Sequence, residues 1–176
     1  MAASTKIALE IIKQKSFTQE NLDVLLKYLF TLEGFKSTFL SYPESLCILF
    51  AKNFSVETFK KNETIFNQGK KSKKLFILVE GEVTKHTKKS TKVLPGSVIG
   101  GLATSVKKYT CTASEDSVLL SVPLSIIHSL IENEWRSSLE RRHKFIKAYF
   151  PFISKYPSLM REKIAESMGE LSLIHI

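Results

Sequence analysis

The chain has 176 residues, 43% of them hydrophobic and 24% charged, and a formal net charge of +9 at pH 7. This composition suits a globular protein able to bury one full core and part of another. No apolar run approaches the roughly 20 residues that cross a bilayer. The start of the chain lacks the basic, apolar, small-residue order of a secretory signal, and Cys47 and Cys111 are too far apart for a metal motif. The expectation is a cytoplasmic protein with reduced core thiols.

In chain order, 6–12 reads as a helical turn or two, with Ile7, Leu9, Ile11 and Ile12 apolar. Thr18 is placed to cap a longer helix, whose Leu22, Leu25, Leu26 and Leu29 recur at three- and four-residue spacing. Gly34 is expected to end that helix. Pro43 and Glu44 begin another, with Leu46, Leu49 and Phe50 expected to face inward. A first strand is expected at 56–59.

Glycines then set the rhythm. Gly69, Gly81, Gly96, Gly100 and Gly101 separate runs rich in Val, Ile, Leu, Phe and Thr at 63–68, 74–80, 82–87, 91–94, 109–113 and 117–122. Short strands broken by Gly and polar turns indicate an antiparallel sandwich or barrel. After Pro123 the alternation gives way to helical period. Ile127, Ile131, Trp135 and Leu139 recur at four, and Phe145, Ile146 and Tyr149 continue the stripe, which predicts one long helix.

The order of these pieces carries a resemblance. Glu63-Thr-Ile-Phe-Asn-Gln-Gly69, Leu75-Phe-Ile-Leu-Val-Glu-Gly81, Leu94-Pro-Gly96-Ser-Val-Ile-Gly100, Thr110-Cys-Thr-Ala113 and Leu119-Leu-Ser-Val122 together resemble the cyclic-nucleotide-binding domain over about 22–135. The resemblance implies a mainly β fold, an eight-stranded jelly-roll β-barrel with helices before and after it. It also implies a regulatory module rather than an enzyme, one that senses a cyclic nucleotide and relays to a neighbouring domain. The alternative is a ligand-free scaffold for protein interaction that keeps only the fold.

The resemblance also names a site. The family carries Phe-Gly-Glu-Leu-Ala after the Gly100 position, then an Arg shortly before the next strand. In the family, backbone N–H groups and the Arg hold the cyclic phosphate, and the Glu holds the ribose. The corresponding residues here are Ile99, Gly100, Gly101, Leu102 and Ala103, then Lys107 and Thr110. Gly101 stands where the Glu belongs, Lys107 stands at the Arg position, and the loop between is short. Losing two charge-assisted hydrogen bonds costs about 3–6 kcal/mol, or roughly 10²- to 10⁴-fold in affinity. cAMP or cGMP is therefore expected to bind weakly or not at all, and no cofactor is expected.

The opening pattern recurs late in the chain. Lys27-Tyr-Leu-Phe-Thr-Leu-Glu-Gly-Phe35 and Lys144-Phe-Ile-Lys-Ala-Tyr-Phe-Pro-Phe152 share a Lys, two large apolar residues and a terminal Phe. Each precedes a Tyr-Pro pair, Tyr42-Pro43 and Tyr156-Pro157, and another apolar helix. The expected organisation is an N-terminal extension at 1–21, the domain at 22–143, and the opening helices of a truncated second copy at 144–170. The last stretch, 171–176, breaks the charged helical pattern and reads as a non-native tail. The expected partner is a downstream second cyclic-nucleotide-binding-like domain or an effector protein.

Charge and histidines add little chemistry. Lys60, Lys61, Lys70, Lys71, Lys73, Lys74, Lys85, Lys88, Lys89 and Lys92 face only Glu63, Glu80 and Glu82 in their window. Such turns can attract an anionic surface or simply be solvated loops. The absence of arginine and of interleaved aromatics argues against nucleic acid. His86, His128 and His143 have no Ser, Cys or Asp at a spacing that suggests catalysis, and no carboxylate cage for a metal is expected.

Overall fold

A computed structural model describes residues 2–71, 73–102, 106–150, 153 and 155–173. They form two compact units, Met1–Leu130 and Ile131–Ile176.

The first unit opens with α1 (Ala2–Gln14), longer than the expected turn or two, followed by α2 (Gln19–Leu29), α3 (Glu33–Phe39) and α4 (Glu44–Asn53). The Thr18 hydroxyl accepts the Asn21 N–H at 3.2 Å and so caps α2. α1 lies against α2 and the first strand, with Ala8 and Ile12 buried. Gly34 does not end α2; it sits inside α3. A Cβ there would come within 2.6 Å of the Gly96 carbonyl and the Val98 nitrogen. The Gly34 N–H donates to that same Gly96 carbonyl at 2.6 Å. Glycine is needed here for close approach rather than for termination. On α4, Leu46, Cys47 and Phe50 face inward, whereas Leu49 is exposed, contrary to expectation.

Eight strands follow among the described residues: β1 (Ser55–Phe59), β2 (Thr64–Phe66), β3 (Lys74–Glu80), β4 (Val83–His86), β5 (Ser90–Val93), β6 (Val98–Ile99), β7 (Thr110–Ala113) and β8 (Ser117–Pro123). They make two antiparallel sheets of four strands, ordered β1-β8-β3-β6 and β2-β7-β4-β5. The expected closed barrel is therefore corrected to a two-sheet sandwich. Its edge strands are too short to close it: β6 has 2 residues and β2 has 3. Between the sheets Phe76, Leu78, Val83, Val93, Ile99, Cys111 and Leu119 form one core cluster. Each large side chain buried in this way contributes about 1.5–3 kcal/mol. β3 is buried on both faces, since Leu75 and Ile77 are as inaccessible as Leu78.

β8 runs directly into α5 (Leu124–Tyr149), one helix of 26 residues as its unbroken apolar period predicts. In the second unit Leu139, Ile146 and Ala165, the last from α6 (Ser158–Leu173), form a small cluster with Ile153, Ile164 and Met168. Trp135, a member of the apolar stripe, is exposed. The second unit also has a groove of about 360 Å³ beside His143, Lys147, Arg161 and Glu162.

Candidate functional site

The site begins where β6 ends. Gly100 turns the chain at φ +100°, a left-handed conformation that favours glycine. Its N–H donates to the Tyr109 hydroxyl at 3.3 Å. Further along, the loop is stitched to the turn between β2 and β3. The Lys107 N–H donates to the Lys70 carbonyl at 2.8 Å, the Gly69 N–H donates to the Lys107 carbonyl at 2.9 Å, and Lys71 and Val106 form an antiparallel bridge.

With its backbone held there, the Lys107 side chain lies in the interior, only 8% exposed. Its Nζ sits 4.4 Å from the centroid of the Phe66 ring. It is buried with no hydrogen-bond partner among the described residues. A Cβ on Gly100 would lie 2.6 Å from this nitrogen, so glycine leaves the amine its room. Burial pulls the Lys107 ammonium below the ordinary lysine range. The ring face attracts a cation but cannot accept three N–H bonds.

Lys107 lines a cavity of about 470 Å³. Phe59, Phe66 and Phe76 supply an aromatic wall, with Phe66 held 5.4 Å from Tyr109 and 6.4 Å from Phe76. The exposed Lys70, Lys71 and Lys73 also line it and have no ion-pair partner among the described residues. Lys74 differs, since its Nζ is 2.6 Å from the Glu57 carboxylate, which also accepts the Ser121 hydroxyl. Glu57 and Lys74 largely cancel, so the surplus charge around the cavity is positive.

The expected site residues separate into groups. Gly100 and Lys107 are brought together. Ile99 belongs to the core between the sheets. The Thr110 hydroxyl is occupied, accepting the Gln68 N–H at 3.1 Å. Gly101 faces open space, with nothing within 4 Å of a Cβ built on it. Ala103 lies outside the described residues. Leu102 makes a contact that sequence reasoning missed: its carbonyl accepts from His128 Nε2 at 2.7 Å, joining the β6–β7 loop to α5. The aromatic wall was missed too, although Phe59, Phe66 and Phe76 are all large residues on strands. Burial pushes the Cys111 thiol up to about 11, so it stays protonated. No group of His, Cys, Asp and Glu among the described residues could hold a metal. No helix among them is long and apolar enough to cross a membrane.

Residues 56–134 match the family model of the cyclic nucleotide-binding domain. Among solved structures, a cyclic nucleotide-binding-like protein from Brucella abortus superposes with TM-score 0.50 at 18% identity, covering 61% of this chain and 97% of that one. The regulatory domain of Toxoplasma gondii PKA, solved with cAMP, superposes with TM-score 0.55 at 14% identity, covering 85% of this chain and 59% of that one. No curated protein matches the sequence. The segment from β1 into α5 thus has the fold of a cyclic nucleotide-binding domain.

Proposed function

We propose that this chain is a ligand-sensing regulatory module, not a catalyst, whose cavity takes a small ligand with an anionic group and an apolar body. The observation that carries the reading is the buried Lys107 amine, which lacks a partner and lines an aromatic cavity with a basic surround. An anion would supply the missing acceptor, and charge-assisted bonds inside such a site are strong. The Leu102–His128 bond gives ligand at this loop a direct route to α5, and movement of α5 is the output. The reader of that output is a downstream cyclic-nucleotide-binding-like domain or an effector, with 144–170 as the opening helices of a second copy. The cytoplasm is the compartment this reading implies.

Ordinary cAMP or cGMP sensing is not part of the proposal. Lysine replaces the planar fork at 107, and no acidic side chain stands at Gly101 to meet a ribose. The N–H groups of Gly69 and Lys107 are engaged with each other's loops rather than free to cradle a phosphate. That closure favours the second reading, a scaffold that keeps only the fold. Calorimetric titration with cAMP, cGMP and simple organophosphates separates the two. We expect cyclic nucleotides to bind more weakly than about 100 μM, organophosphates to bind measurably, and Lys107→Met to abolish that binding. Micromolar cAMP affinity would overturn the ligand assignment. No binding by any anion would leave the scaffold. For the relay, His128→Ala should preserve anion binding while removing any ligand-induced change in hydrogen exchange of α5.

A further inference from the structure

We infer that Lys107 captures an anionic aldehyde covalently, as an imine, in the cavity between the two sheets. The inference rests on the reading of that cavity as an anion site and names its ligand class.

The geometry isolates one amine from the solvated lysines of the same region. Lys107 Nζ is buried, has no acceptor among the described residues, and lies beside the Phe66 ring in room that Gly100, lacking a Cβ, leaves to it. With no anion bound to it, an ammonium in such a place leaves its three donors unsatisfied, whereas a neutral amine loses far less. The direction of the Lys107 shift agrees, since burial favours the uncharged form. A neutral lysine amine in an apolar pocket is a nucleophile toward carbonyl carbon. Cys111, in the core between the sheets, is held as a thiol by its pKa of about 11.

The surroundings select the rest of the ligand. Phe59, Ile65 and Phe76 offer apolar wall to a flat or aliphatic body, and Lys70, Lys71 and Lys73 offer charge to a phosphate or carboxylate. The reaction needs no further reagent. The Nζ lone pair forms a bond to the aldehyde carbon, the carbonyl oxygen leaves as water with the two amine hydrogens, and a C=N double bond remains. Hydrolysis reverses the step, so the site holds its ligand reversibly.

The test uses the full chain and pyridoxal 5′-phosphate as the probe, with borohydride reduction and peptide mass mapping. The expected result is label concentrated on Lys107, lost in Lys107→Arg, and reduced by competing pyridoxine 5′-phosphate, which has the same ring and phosphate but no aldehyde. Label spread over the surface lysines with Lys107 no richer than the rest would overturn the inference. If pyridoxine 5′-phosphate binds while Lys107 stays unlabelled, the imine is wrong and the anion site stands. If neither compound binds, both readings fall. Should Lys107→Arg fail to fold, protection of wild-type Lys107 by pyridoxine 5′-phosphate decides the matter alone.

Discussion

The helices that open the first unit and those of the second share a sequence pattern but meet different environments. In the first, Leu29, Phe35, Phe39 and Phe50 are all fully buried, and the Phe39 ring lies tilted between Phe35 at 4.8 Å and Phe50 at 4.7 Å. In the second, Ile146 is buried like Leu29, but Phe145, Tyr149 and Leu159 are 45%, 70% and 65% exposed. The shared pattern specifies helices and the inner edge of their packing. Burying the outer aromatic residues takes a further layer, which the first unit has in its sheets. The contact that seats α3 against those sheets is Gly34 on Gly96 and Val98, and the late copy of the pattern has a proline in that place.

The largest effect should come from one ring on each side of this comparison. Phe39→Ala removes a fully buried ring and should cost about 3–5 kcal/mol in urea unfolding. Tyr149→Ala should stay within about 0.5 kcal/mol. Comparable losses would mean that the second unit is covered in solution and that the contrast is wrong.

Gly34→Ala should come next. Its added Cβ meets backbone atoms of Gly96 and Val98 rather than a side chain that can swing away. Overpacking of this kind costs about 1–3 kcal/mol. A variant as stable as the wild type would show that α3 does not need its close seat on the sheets.

Among the described residues, the buried polar atom of the first unit that lacks a partner is Lys107 Nζ, and it sharpens the comparison. Lys107→Met replaces an unpartnered buried amine with an apolar chain of similar length and should raise stability by about 1–3 kcal/mol near neutral pH. The folded pKa of Lys107 is lowered, so the unfolded chain binds more protons in the window from that lowered value up to the ordinary lysine value. Wild-type stability gains from this group as pH rises through that window, and the advantage of Lys107→Met should shrink there. Chemical unfolding at a series of pH values measures the gap, and a constant or widening gap would mean that Lys107 is not penalised by burial.

Most strands were legible because glycine turns and period-2 runs are local signals. β6 was not, because its 2 residues come just after the Leu-Pro-Gly turn and owe their strand character to pairing with Phe76 and Ile77. Nor could sequence decide between sandwich and barrel, which depends on whether short edge strands meet. Gly34 misled for a related reason: a glycine that stops a helix and one that lets a helix approach a sheet look alike in sequence. The position of Lys107 was legible through the resemblance. Its burial was not, because that follows from the loop closing onto Gly69 and Lys70. Period placed Trp135 on a stripe with Ile127 and Leu139, but period says only which residues share a face, not whether anything lies against it.

The smallest effect on stability, and the most direct test of the repeat, concerns the second unit's exposed side. Tyr149, Tyr156, Leu159 and Met160 are all exposed, and Phe145 packs only 4.7 Å from Tyr149 in a cluster open to solvent. Each large side chain of this kind would gain about 1.5–3 kcal/mol if fully buried, so the set favours association between chains. Sedimentation velocity of the full chain should show self-association that grows with concentration. Replacing Tyr149, Leu159 and Met160 together by Lys should suppress it. Surface changes shift stability little, so the unfolding midpoint should barely move. A shortened chain ending at 142 should be more soluble, with its melting temperature nearly unchanged, because the core between the sheets and the helices α1 to α4 lie wholly before the cut. If the shortened chain loses cooperative unfolding, the late helices are part of the first unit's own fold. They are then not the opening of a second copy, and the contrast between the two helical regions reflects position in one domain.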